Sequence, residues 1–296
     1  MHTVFVAGAT GYLGRHLCAE FSRRGSYVIA LVRDAGRTQD LCADSLVEAQ
    51  ATRPETLKDV MAGADIVVSA LGITRQADGL SYRDVDYRAN LNLLRQAEQS
   101  GVARFAYVHV LNADRMSHVP LVAAKAEFVR ALQASSIAPT VIAPSGFFSD
   151  MGDFFAMAKS GRAWLFGDGG FRINPIHGAD LATATADAID AGEPWLDVGG
   201  PETFSHVQVA ELAFDTLGRP AKITRLPDGL RRLTLRVLPW VTPRRISGPA
   251  QFFLNAMSMD MVGVPRGNHR LADHFQALSN EKPASRPMGN RTTKES

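Results

Sequence analysis

Val4-Phe5-Val6-Ala7-Gly8-Ala9-Thr10-Gly11-Tyr12-Leu13-Gly14 reads as a buried strand, a tight turn and the start of a helix. Glycine at these positions lets a backbone approach a pyrophosphate and lets the helix pack close to the strand. The free N–H groups and the positive dipole end of that helix then hold the phosphates. Gly8, Thr10, Gly11, Tyr12, Leu13 and Gly14 are therefore the candidate phosphate cradle. The spacing is GxxGxxG rather than GxGxxG, and a lone glycine pattern is a weak signal. Its place at the first strand-to-helix crossover, heading an alternating chain, decides the reading.

Outward from the turn, short apolar runs alternate with longer periodic stretches. Strands are expected at 4–7, 27–32, 46–49, 66–71, 105–111 and 140–143, and helices up to residue 24 and over 54–61, 85–99 and 121–134. This alternation, with nearly continuous apolar strands, predicts an α/β fold with a doubly wound parallel sheet. Beyond Pro144 the rhythm changes. Residues 147–159 and 181–189 look helical, 167–170 form a glycine turn, and 195–198 suit a late strand. From Ser205 the chain reads as mostly helical, interrupted by Pro227, Pro239, Pro243 and Pro249. The expected organisation is a nucleotide-binding domain over 1–145, a part over 146–277 that completes the sheet and forms a small, mainly helical cap, and a disordered tail over 278–296.

Composition narrows the class. The 296 residues can bury a substantial core, and 46% hydrophobic with 21% charged residues is ordinary for a soluble globular chain. A formal net charge of +2 gives no reason to expect nucleic-acid binding. Cys18 and Cys42, the two cysteines, make neither a disulfide framework nor a zinc site, so no metal is expected. No signal-peptide pattern opens the chain, and no apolar run reaches the roughly 20 residues that cross a bilayer. A cytoplasmic location is the expectation.

From Gly8 to Leu17 the chain resembles the short-chain dehydrogenase/reductase superfamily in its extended or atypical branches. Val85–Leu94 resembles the helix-four signature of those branches, Arg104–Val108 their fifth strand, and Asn174–Ala182 their later loop-to-helix segment. The Phe166-Gly167-Asp168-Gly169 turn is similar to one in the atypical group near the NmrA-like proteins and divinyl chlorophyllide reductases. The resemblance covers nearly everything before the tail. It implies a Rossmann domain that binds NADP(H) and performs hydride transfer on a small, apolar organic substrate.

The familiar members use a tyrosine, a lysine four residues later and a nearby serine or threonine. Here that helix reads Leu121-Val122-Ala123-Ala124-Lys125, so the lysine is present and the tyrosine is leucine. No tyrosine of the five has a lysine four positions on. The resemblance implies that Lys125 reaches the nicotinamide ribose; a solvated lysine on a helix face is the bland alternative. Open α/β sheets place their sites beyond the carboxyl ends of the strands. His109, at the end of the fifth strand with Phe105 and Tyr107 on its side, is the candidate proton group, or else a satisfied, partly buried histidine. Ala70, Leu71, Pro144 and Phe147 stand at other such ends; the resemblance implies that they are cofactor contacts, with Phe147 and Phe148 either an apolar wall or core residues. Asp180 reads as a helix cap and Asp168 as a turn residue.

The cofactor choice turns on the end of the second strand. The slot for a ribose-binding acid is Val32, and Arg33 follows it, suited to a 2′-phosphate. Asp34 reads as turn-forming, and Arg37 as a second positive charge. Leu230, Leu233, Val237 and Leu238 share a helical face opposite Arg231, Arg232 and Arg236. Docking of that face on the core, with the arginines solvated, is expected in preference to a membrane-surface helix. The leading expectation is an NADP(H)-dependent oxidoreductase lacking the usual tyrosine. A non-catalytic nucleotide sensor or assembly protein, and an isomerase or lyase using the nucleotide transiently, are the alternatives.

Overall fold

In a computed structural model the glycine turn sits where the strand order of a parallel sheet reverses. The structure describes residues 2–38, 40–73 and 79–280, except the side chains of Arg37, Arg244 and Arg245. The first half runs β1 (Thr3–Ala7), α1 (Tyr12–Arg23), β2 (Tyr27–Val32), β3 (Ser45–Glu48), β4 (Ile66–Ser69), α2 (Asn90–Gln99), β5 (Arg104–Val108), α3 (Pro120–Gln133) and β6 (Ala138–Pro144). The second half continues with α4 (Gly152–Lys159), β7 (Ala163–Phe166), β8 (Arg172–Ile173), α5 (Gly178–Asp190), β9 (Trp195–Gly199) and β10 (Phe204–Ser205). It closes with α6 (His206–Thr216), β11 (Ile223–Leu226), α7 (Asp228–Val241), α8 (Arg244–Ala256), β12 (Val264–Pro265) and α9 (Leu271–Asn280).

Eight strands form one sheet in the order β12-β9-β6-β5-β4-β1-β2-β3. Every neighbouring pair is parallel. Alternation along each strand feeds two cores. Val4, Val6, Val28, Ala30, Ile66 and Val68 pack under α1 and α5. Phe5, Ala7, Ile29, Leu31, Val67, Phe105 and Tyr107 pack under α2 and α3. Both faces of the inner strands are covered, which is why those strands read as nearly unbroken apolar runs. The switch between β1 and β4 is where such sheets bind ligands, beyond the carboxyl edge.

Several elements differ from expectation. The helix over 54–61 is only a 3-10 turn, Pro54–Leu57, because Lys58 turns to extended backbone (ψ 126°) and Asp59 to a positive φ of 61°. The helix expected over 85–99 begins as a π-helical turn, Arg83–Ala89, before α2. The cap also holds a parallel pair, β7 with β11, and an antiparallel pair, β8 with β10, that periodicity did not suggest. Helix α9 runs to Asn280, so 278–280 are helical rather than tail, and the rest of the expected tail lies outside the described residues.

Candidate active site

The chain turns at Gly8 with φ +78°, and a Cβ there would stand 2.9 Å from the Ala70 carbonyl carbon and oxygen. A Cβ on Gly14 would fall on the Gly8 carbonyl oxygen, so only glycine lets α1 pack this close to its own turn. Gly11 is extended (φ −73°, ψ 171°); its amide donates to the Gly8 carbonyl at 3.0 Å, and no side chain caps α1. The first turn of α1 carries no acidic residue. An uncapped, unopposed helix N-terminus beside a glycine cradle fits a pyrophosphate.

From this turn a cavity of about 560 Å³ runs across the carboxyl edge of the sheet. Gly8, Gly11, Tyr12, Leu13, Gly14, Ala70, His109, Lys125, Pro144 and Phe147 line it, as the sequence reading grouped them. Thr10, Arg33 and Leu71 do not line it. Thr10 is exposed on the turn, Leu71 packs into the core under α2 and α3, and Arg33 is exposed where β2 ends. At its far end the cavity is apolar, walled by Phe154, Met157, Trp164, Phe166, Phe252 and Phe253.

Lys125 projects from α3 into the floor of this cavity. Its Nζ donates to the Val108 carbonyl at 3.1 Å and the Tyr107 hydroxyl at 3.4 Å, and stands 3.3 Å from Asp86 Oδ1. Asp86 is fully buried on the π-helical turn; burial pushes its pKa up, against the pull of Lys125. Asn90 holds that turn in place. Its Nδ2 donates to the carbonyls of Leu71, Val85 and Asp86, and its Oδ1 accepts from Ser69 Oγ at 2.6 Å. A tyrosine hydroxyl thus does meet the lysine, but Tyr107 is fully buried in the sheet and its pKa is raised well above 10. It holds Lys125 and offers no proton to the cavity.

His109 lies on the Lys125 side of the sheet, as its alternation requires, and is 4% exposed. Burial, then the charge of Lys125, brings its pKa down to about 3. It is therefore neutral at physiological pH, and the expected role as a proton donor near neutrality does not suit it. Asp150, which periodicity had not singled out, carries the opposite shift. It lines the cavity, accepts from the Phe147 amide at 3.1 Å, and is pushed up to about 6 by burial, with Asp153 adding to the rise. Its only sequence signal is its position in the loop after β6.

Phe147 lines the cavity edge-on to Tyr12 at 6.0 Å, whereas Phe148 is core, packed on His177 and His274. Asp34 accepts from the Gly36 amide at 3.0 Å, and Glu48 from the Ala35 amide at 3.2 Å, so both acids near the Val32 slot hold the turn. The side chain of Arg37 lies outside the described residues. Asp168 accepts from the Gly170 amide, a turn role. Asp180 does not cap its helix. His177 does, through Nδ1 and the Ala179 amide, while Asp180 accepts from the amides of Asn268 and His269 and pairs with the His269 ring at 2.8 Å. The sequence separation of 89 residues hid that partner.

A family model described as NAD(P)H-binding matches residues 8–191. The chain is 31% identical over 263 residues to a chloroplastic divinyl chlorophyllide a 8-vinyl-reductase of Zea mays, covering 80% of this chain and 64% of that one. It is 25% identical over 236 residues to a photosystem II assembly factor of a Synechocystis strain, covering 77% and 72%. An NADPH-dependent quinone oxidoreductase of Escherichia coli, solved with NADPH, superposes with a TM-score of 0.75 at 18% identity, over 94% of this chain and all of that one.

Proposed function

Since the chain belongs to the NAD(P)H-binding Rossmann family, in its atypical short-chain dehydrogenase/reductase branch, we propose that it is an NADP(H)-dependent oxidoreductase of small, apolar substrates. The observation that carries this reading is the continuity of one cavity, from the glycine turn past Lys125 to an apolar end. A protein that only binds a dinucleotide needs the cradle but not the chamber beyond it.

The amides at the start of α1 would hold the pyrophosphate, Arg33 the 2′-phosphate, and Lys125 the ribose hydroxyls. Pro144 and Phe147 would flank the nicotinamide. When bound, the cofactor supplies a hydride. The chain must then supply the matching proton, and Asp150 is the cavity group poised for it: with a pKa of about 6 it is roughly one-tenth protonated at pH 7. Asp86 and Tyr107 position Lys125. The phenyl and thioether walls exclude water from the reacting end.

Loss of reduced-nicotinamide absorbance with a panel of apolar enones, imines and ketones tests the proposal. Turnover by the parent should fall about 10²–10⁴-fold in Asp150→Asn, with NADPH affinity retained. The amide can still accept from Phe147, so the loop should hold. Tight NADPH binding without turnover across the panel would instead favour a nucleotide-binding assembly or sensor protein. Leu121, apolar at the tyrosine position and lining the cavity, is the observation on that side.

A further inference from the structure

Helix α7 exposes an apolar face that nothing among the described residues covers. Leu230, Leu233, Val237, Trp240 and Val241 are 43, 56, 42, 87 and 67% exposed, and none of the 14 residues of the helix is buried. Of the face expected to dock on the core, Leu230, Leu233 and Val237 are exposed and only Leu238 is half-buried. The inner side of the helix is spent on α8, where Arg231 donates to the Leu254 carbonyl at 3.2 Å and Leu235 and Leu238 are half-buried. That leaves a second apolar stripe facing outward. Among the described residues, six of the fourteen exposed large hydrophobics fall between Leu230 and Ile246. They form a patch rather than the scatter of single side chains that any surface carries.

Charge identifies the occupant. Residues 228–256 hold five arginines and one acid, a net +4 in a chain whose total is +2. The acid, Asp228, is already paired, 2.6 Å from Arg231 and 2.7 Å from Arg232. Arg232 and Arg236 are exposed along the flank of the apolar stripe. A protein partner would have to bring matching acids to the flanking arginines, at a rim where exposed ion pairs contribute little. A bilayer surface accepts both parts at once, because side chains such as Leu233 and Val237 enter the acyl boundary while flanking arginines stay at the anionic headgroups. Trp240 is the residue type favoured at that boundary.

We propose that the outer face of α7 docks this protein on an anionic membrane surface. The contact is peripheral and separate from nucleotide binding. Because Phe252 and Phe253 of α8 line the cavity, docking would also bring its apolar end within one helix of the lipid.

Flotation of the full chain with vesicles tests this. Protein should float with vesicles of phosphatidylcholine mixed with phosphatidylglycerol, and far less with phosphatidylcholine alone or in high salt. Leu233→Glu with Val237→Glu should weaken binding about tenfold or more, and Arg232→Gln with Arg236→Gln should remove the preference for anionic lipid. These positions are exposed, so an unchanged thermal transition checks that each variant folds. Tryptophan emission should shift to the blue on adding mixed vesicles, and not in Trp240→Phe. Failure to float, or equal flotation of the double glutamate variant, overturns the proposal. So does a concentration-dependent dimer that the glutamates dissolve, which would make a second copy the occupant.

Discussion

Arg33 leaves the carboxyl end of β2 one position after Val32, whose buried side chain accepts no hydrogen bond. The acids nearest this slot, Asp34 and Glu48, accept from the amides of Gly36 and Ala35. A guanidinium here suits a 2′-phosphate, through a bidentate, charge-assisted pair worth roughly 1.5–3 kcal/mol. Arg33→Ala should therefore weaken NADPH about ten- to hundredfold and leave NADH nearly unchanged, while Val32→Asp should move preference towards NADH. Dissociation constants by calorimetry check both; a parent that favours NADH sinks the assignment. The glycines make a paired prediction. A Cβ on Gly11 meets only the Gly8 carbonyl oxygen, at 3.2 Å, so Gly11→Val should abolish nucleotide binding with little loss of fold. Gly14→Ala should instead cost stability, since its Cβ overlaps the backbone of Gly8 and Ala9.

At the N-terminus of α5 a histidine stack makes the fold sensitive to acid. The His177 ring stacks on His269 at 4.1 Å and lies 5.2 Å from His16, while its Nδ1 caps the helix. Burial first, then the charges of His269 and His16, brings His177 down to about 4 against the pull of Asp180; burial also lowers His16. A folded pKa below the unfolded value of 6.5 means that the unfolded chain binds more protons between about pH 4 and 6.5. The contribution is whole above that window and is lost as pH falls through it, by roughly 2–3 kcal/mol. Asp150, raised to about 6, acts in the opposite sense. His177→Asn keeps a capping acceptor but not the titration, so denaturant melts should show parent stability falling relative to the variant from pH 6.5 to 4. Parallel pH curves for the two would refute this. Elements of this kind mark the limit of sequence reading. The inner parallel strands were legible because burial on both faces leaves few polar positions in them. The π-helical turn was not, since Asp86 and Asn90 are held by Lys125 and Ser69 from elsewhere in the chain. Nor could amphipathicity tell that α8 takes one side of α7 and leaves the other open.

On the scale of the whole molecule, the cap is tied back into the sheet by its last segments. Edge strand β12 comes from beyond α8 and pairs with β9. Asn174, 1% exposed, clamps this return: its Nδ2 donates to the carbonyls of Gly200 and Gly263, and its Oδ1 accepts from the Gly263 amide at 2.9 Å. Asp180 fixes the next stretch through the amides of Asn268 and His269. The core under α4, α6 and α9 also includes Leu121 and Val122 of α3, so no plane of few contacts separates cap from sheet. Cap and sheet joined in this way should unfold as one unit. Thermal unfolding should give one transition, at the same temperature by far-UV circular dichroism and by Trp164 emission from the cap, with Trp195 and Trp240 replaced by phenylalanine. Asn174→Ala strands three buried polar groups, each worth roughly 1–3 kcal/mol. It should lower Tm by at least about 5 °C and move both probes together. A Trp164 transition that precedes the dichroism change would show a cap that melts alone. The continuous cavity would then be a property of two parts held together, and bound NADPH should stabilise the later transition more than the earlier one.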